Sequence, residues 1–233
     1  MAKTIAIIQS NYIPWKGYFD IIHACDEFIL FDEAQYTDND WRNRNRIKTA
    51  QGVKWLTIPV RYSGRFGQRI DETEIAAPNW HVKHWKTLQT AYGRAPYFRA
   101  YRDQIEALYQ QVEGLTRLSD INAHFLRALC GLLGICTPIT WSTQYRSQGV
   151  KADRVLSLCL EAGADVYISG PSARAYMDDD LFARHGVKVV YKDYSGYPEY
   201  PQLYPPFEHR VSVLDVIFHV GPEAPRYIFK QDV

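Results

Sequence analysis

Two short apolar runs constrain this chain more than anything else in it. Thr4-Ile5-Ala6-Ile7-Ile8 and Glu27-Phe28-Ile29-Leu30-Phe31 have almost no polar position in alternation. A strand of that kind is buried on both faces, which is the habit of parallel sheets. Between them, Asn11 to Gly17 breaks the pattern with Pro14 and Gly17, and residues 18–24 suit a short helix. The beginning therefore reads strand, loop, helix, strand. Further strands are expected at 139–142, 165–169 and 187–191, with helices at 151–162, 178–185 and 212–220. Alternation of this kind predicts a doubly wound, mostly parallel α/β sheet with right-handed crossovers.

Two stretches depart from that rhythm. Residues 41–60 predict a β-hairpin around Gln51-Gly52, and 80–134 a helical insertion with helices at 80–92, 99–113 and 120–134, the last capped by Ser119. Residues 193–210 are dense in Tyr and Pro and read as a stiff strap lying on the body, with Tyr200–Gln202 closing one side of a groove. All of this fits a single α/β domain over 1–233. Hydrophobic residues are 46% of the chain, enough for a core. Aromatic residues reach 14%, with 17 Tyr, which suits half-buried positions along a groove.

Composition excludes some functions. With 27 Lys and Arg against 26 Asp and Glu, the chain lacks the basic excess of a protein that coats nucleic acid. No CxxC pair occurs among Cys25, Cys130, Cys136 and Cys159, so reduced thiols are expected. There is no signal peptide and no apolar run of membrane-spanning length, which predicts a cytoplasmic protein without a membrane span.

Ligands of open parallel sheets collect at the carboxyl ends of strands near the switch point. The first loop is thus a candidate through Gln9, Tyr12, Trp15, Gly17 and Tyr18. It matches neither the phosphate-binding Gly-rich loop ending in Lys-Ser/Thr nor the dinucleotide fingerprint. The second candidate is the alternation Trp41-Arg42-Asn43-Arg44-Asn45-Arg46-Ile47-Lys48. In an extended strand Arg42, Arg44, Arg46 and Lys48 share one face, suited to phosphate or carboxylate; a solvated edge strand is the competing reading. Trp41 and Asn43 add groups able to read a polar ligand. The third candidate follows the strand at 165–169, where Ser169, Gly170, Ser172, Arg174 and Tyr176 could clamp phosphate. Asp32 and Gln35 stand beyond the second strand. His81 and His84 lie three apart on a helix but lack an evident third ligand, so no metal site is assigned.

Together these segments resemble the WbqC-like family. The resemblance is carried by Gln9-Ser10-Asn11-Tyr12-Ile13-Pro14-Trp15-Lys16-Gly17-Tyr18-Phe19-Asp20, by Asp32 through Gln35-Tyr36, and by Arg42 to Lys48. Ser169-Gly170 with Tyr176, Tyr200-Pro201-Gln202, Phe207 and Ser212-Val213-Leu214-Asp215 extend it over nearly the whole chain. Ser10 replaces the Pro usual after the first Gln. The resemblance implies bacterial surface-polysaccharide (O-antigen) and amino-sugar pathways. Its implied activity is amide formation on the amino group of a nucleotide-linked sugar by transfer of an acyl or aminoacyl group such as glycyl. The implied partners are a nucleotide sugar and a donor that is a free acid, a thioester carrier or a charged tRNA, with a homodimer allowed. The order of loops is also similar to pantoate–β-alanine ligase and the nucleotidylyltransferase-like (HUP-like) superfamily, which would supply ATP with Mg²⁺. That superfamily carries two His in the first loop; here Trp15 and Tyr18 stand in that region. An already activated acyl donor is the equal alternative. On this reading Arg42, Arg44, Arg46 and Arg174 hold phosphates, and His81 or Asp32 frees the amine. A nucleotidyl transferase and a non-catalytic nucleotide-sugar binding protein are the other expectations.

Overall fold

The computed structural model describes residues 2–175 and 177–230. Five strands form one parallel sheet: β1 (Thr4–Ile8), β2 (Glu27–Leu30), β5 (Ile139–Trp141), β6 (Val166–Ser169) and β7 (Lys188–Tyr191). Their order is β5-β2-β1-β6-β7, and every neighbouring pair is parallel. Strands β3 (Arg44–Thr49) and β4 (Gly52–Thr57) make a separate antiparallel hairpin, shorter than the 41–60 span expected of it.

Both faces of the sheet are covered, as the apolar runs require. Ala6, Phe28 and Leu30 point into the larger core with α1 (Lys16–His23), α4 (Leu118–Leu132) and α7 (Val213–Val220). Ile5, Ile7 and Ile29 point the other way, toward α5 (Lys151–Glu161) and α6 (Asp179–Arg184). Burying one such side chain stabilises the fold by about 1.5–3 kcal/mol. The remaining helices are α2 (Trp80–Tyr92), α3 (Phe98–Gln111) and α8 (Ala224–Ile228), the last without a counterpart in the sequence reading. Ser119 does not cap α4; its residue at the cap is Arg117, and the Ser119 hydroxyl instead donates to the buried Asp32 carboxylate. No helix among the described residues is long and apolar enough to cross a membrane. The four cysteines are unpaired thiols.

The first loop is pinned to the helical block by a buried polar chain. His84 Nε2 lies 3.2 Å from the Thr57 carbonyl, which can only accept, so the neutral ring carries its proton there. Nδ1 then accepts from the Tyr12 hydroxyl at 2.9 Å, and Tyr12 accepts from Tyr109 at 2.7 Å. Burial pushes the His84 ring down from 6.5 to about 4. The unfolded chain therefore binds a proton that the fold rejects between pH 6.5 and 4. Stability is intact above that window and is lost as pH falls through it, by up to about 3 kcal/mol. Urea midpoints at about pH 7.5 and 4.5, on either side of the ordinary His range, should drop less in His84→Gln than in the wild type. Parallel losses in the two proteins would refute this role.

Candidate functional site

A cavity of about 580 Å³ opens at the carboxyl ends of β1 and β6. This is the switch point of the sheet, because the chain leaves β1 toward β2 on one side and arrives at β6 on the other. Its volume is that of a small-molecule site. Gln9, Asn11, Pro14, Trp15 and Tyr18 line it from the first loop and α1. Trp41 and Arg42 reach it from the turn before β3, Asn45 from β3, Ser169 from the end of β6, Gly170 and Ser172 from the turn that follows, and Tyr194 and Arg210 from the strap.

The first loop is held in a conformation it would not choose. Ile13 has a φ of 36°, a left-handed backbone that a β-branched residue rarely takes. Asn45 Nδ2 donates to both the Tyr12 and Ile13 carbonyls, at 3.0 and 2.9 Å, and holds it there. Strain kept in place by its surroundings is characteristic of ligand loops. Gly17 is needed for lack of space, since a Cβ there would lie 2.4 Å from the Trp15 ring. Its absence lets the indole fold over α1 and form the cavity wall, where Tyr194 meets it edge-on with centroids 5.2 Å apart.

Arg42 supplies the charge. Its Nη1 donates to the Gln9 carbonyl at 3.2 Å and to Asn11 Oδ1 at 2.5 Å, and its Nη2 lies 3.5 Å from Asp40. Burial alone would raise the Asp40 carboxyl, but the Arg42 charge and the Trp41 N–H bring it below the usual range. The Tyr18 hydroxyl donates to the Gln9 carbonyl at 2.8 Å; burial and the neighbouring Asp32 push its phenol well above the ordinary value. Burial likewise lifts Tyr194 to about 12. These phenols are proton donors at neutral pH. Among the described residues, no carboxylate, His, Lys or Cys lines the cavity.

Other residues singled out in the sequence lie elsewhere. Tyr12 is fully buried in the polar chain with His84. Asp32 sits beneath the first loop, accepting the Ser10 N–H at 2.7 Å and the Ser119 hydroxyl, and burial raises its carboxyl despite those bonds. His81 is buried at the start of α2 with Nδ1 3.0 Å from the Pro78 carbonyl, so neither it nor Asp32 faces the cavity. Gln35 is exposed on a bridge to Arg69. Asn43 is buried and donates to the Ile58 carbonyl.

Arg44, Arg46 and Lys48 do share one side of β3, but that side meets Trp55 and the strap rather than the cavity. Arg44 bonds Asn39, Arg46 pairs with Glu208 at 3.6 Å, and Lys48 donates to Gln202 at 2.8 Å. Arg174 lies 4.7 Å from the Tyr191 ring. Tyr200 and Gln202 bond the buried Asp215, so the strap closes the cavity through Tyr194 and Arg210 instead. Tyr176 lies outside the described residues. Arg210 belongs to no sequence motif; the strap brings it in.

The model of the WbqC-like protein family matches residues 9–227. The chain belongs to the WbqC-like family. Among its relatives is an uncharacterized protein of Mycobacterium tuberculosis (Rv1507c), 47% identical over 226 residues, or 97% of each chain. No solved structure matches significantly. The family match spans the cavity-lining residues from Gln9 to Arg210 and leaves out Ile7 and Ile8 of β1.

Proposed function

We propose that this WbqC-like chain joins an acyl or aminoacyl group, glycyl among them, to the amine of a nucleotide-linked amino sugar used in bacterial surface polysaccharide. The observation that carries this reading is the composition of the switch-point cavity. Arg42 and Arg210 suit a diphosphate, Trp15 and Tyr194 offer flat faces to a base or sugar, and Gln9, Asn11 and Ser169 can hold hydroxyls. Trp15 and Tyr18 line the cavity, and the first loop carries no His, unlike that of the ATP-using superfamily whose loop order it resembles. That difference favours a donor activated beforehand. Amino-sugar amines are partly unprotonated near neutral pH, so holding amine and carbonyl together would supply most of the rate without a dedicated base.

A thermal-shift series tests the reading. Nucleotide amino sugars should raise the midpoint more than the matching nucleoside diphosphates, and nucleoside triphosphates should do little. Adding activated acyl donors should then yield the amide by mass spectrometry. Pyrophosphate release from a triphosphate and a sugar phosphate would instead indicate nucleotidyl transfer. The lack of an ionisable base among the described cavity residues lends weight to a second reading, a non-catalytic nucleotide-sugar binding protein. Tight binding without turnover across the whole donor panel would decide for it.

A further inference from the structure

A shelf of exposed indoles runs outward from the mouth of the cavity. Trp41 lines the cavity yet is 37% exposed, and Trp55 on β4 is 39% exposed. Their centroids are 5.2 Å apart at an interplanar angle of 44°. The Arg44 guanidinium lies 4.2 Å from the Trp55 centroid, and that of Arg46 lies 5.8 and 5.9 Å from Trp41 and Trp55. Arg44 also bonds Asn39 through both Nη atoms and Arg46 pairs loosely with Glu208 at 3.6 Å, while the Nε atoms of both are covered and have no hydrogen-bond partner among the described residues. Adjacent open indoles beside guanidinium groups offer a flat, cationic surface on which an anionic aromatic ligand can stack.

We infer that this shelf is the donor subsite and takes the adenine-nucleotide end of an acyl thioester of the coenzyme A type. The inference rests on the proposed acyl transfer and names its donor. Base stacking on indole strengthens binding, and Arg is the side chain best shaped for phosphate. A carrier with only a pantetheine arm offers neither ring nor nucleotide phosphate. The nearly balanced charge of the chain argues against a whole tRNA. Because Trp41 belongs to both shelf and cavity, the long pantetheine arm would fold back along the shelf to bring the donor's acyl end to the cavity mouth, where the acceptor amine would wait. In the transfer, the amine nitrogen attacks the thioester carbonyl carbon and a C–N bond forms. The C–S bond breaks, its electron pair leaves on sulfur, and the amine proton ends on that thiolate.

The test uses the full chain with coenzyme A as the probe, followed by calorimetry and indole fluorescence. Wild type should bind coenzyme A saturably and quench, while pantetheine binds at least about tenfold more weakly, as loss of a stacked base implies. Trp55→Ala and Arg44→Ala should each weaken coenzyme A by about tenfold or more and leave the thermal shift from nucleotide amino sugars unchanged. Absence of saturable binding, equal binding by pantetheine, or unaltered binding in both variants would overturn the assignment. So would a concentration-dependent dimer that Trp55→Ala abolishes, or binding of an aminoacylated RNA end with none of coenzyme A. Coenzyme A failing while nucleotide sugars still stabilise removes only the shelf. Nucleotide sugars failing while coenzyme A binds removes the acceptor reading and keeps the shelf.

Discussion

Asp215→Ala should lower the stability of this chain by roughly 3–5 kcal/mol, because it takes the anion from a buried network and leaves the donors behind. Asp215 lies in the first turn of α7 and is fully buried. Its Oδ1 accepts from the Tyr200 hydroxyl at 2.6 Å and from Gln202 Nε2 at 2.7 Å, and its Oδ2 from the Tyr92 hydroxyl at 2.9 Å. Three donors from two distant elements, α2 and the strap, thus meet on one carboxylate. His219 extends the cluster: its Nε2 accepts the Leu203 N–H at 3.0 Å, which leaves Nδ1 to donate to the Asp215 carbonyl at 2.7 Å. An alanine offers these donors no acceptor. Asparagine keeps one acceptor oxygen and should recover a substantial part of the loss. Urea unfolding near neutral pH is the measurement, with the midpoint ordered wild type, Asn, Ala. Because the same strap carries Tyr194 and Arg210 to the cavity, Ala should also weaken nucleotide-sugar binding under conditions where it remains folded. A midpoint for Asp215→Ala equal to that of the wild type would mean that this carboxylate does not latch the strap.

The contrast between Asp215 and the strands shows what a sequence like this reveals. Two-sided burial leaves a local signature, so β1, β2 and their parallel pairing were legible, as was the convergence of the loops after β1 and β6. The period-two rule likewise put Arg44, Arg46 and Lys48 on one side of β3. What the pattern could not show was what that side faces. Glu208, Gln202 and the Pro206 carbonyl arrive from a distant part of the chain and meet Arg46 and Lys48, while Arg44 stays beside the open Trp55 ring. The first loop posed a different difficulty. Gln9 and Asn11 turn to the cavity while Ser10 and Tyr12 turn inward, but the alternation breaks at the strained Ile13, which is buried before Trp15 turns to the cavity again. His81 was attractive as a base by residue type, and Asp32 by its place beyond the second strand. Their seats were decided by packing: one bonds a turn carbonyl, the other supports the loop from beneath. Arg210 had no signal of its own, since it depends on how the strap docks.

Arg42 is where loop, hairpin and ligand chemistry meet, and Arg42→Ala should weaken nucleotide-sugar binding by roughly 10–100-fold. The magnitude follows from a charge-assisted hydrogen bond contributing about 1.5–3 kcal/mol, with each ~1.4 kcal/mol a factor of ten. The side chain spends Nη1 on the Gln9 carbonyl and Asn11, and holds Asp40 with Nη2, so it is oriented before a ligand arrives. An oriented cation loses little entropy on binding, which is why removing it should cost more than removing the exposed Arg210. The substitution also frees the first loop, so two controls separate charge from scaffolding. Arg42→Lys keeps the charge without the planar fork and should bind with intermediate affinity. Asn11→Ala removes one of the loop contacts and leaves the guanidinium; if it matched Arg42→Ala, orientation of the loop rather than charge would be the dominant effect. The salt dependence provides a further discrimination. Wild-type affinity should fall as ionic strength rises, and the slope should flatten in Arg42→Ala because one cation fewer meets the diphosphate. Calorimetric titration with a nucleotide amino sugar and with the matching nucleoside diphosphate reads both effects. Equal affinities for the wild type and Arg42→Ala with both ligands would move the phosphate away from this end of the cavity and leave Arg210 to hold it.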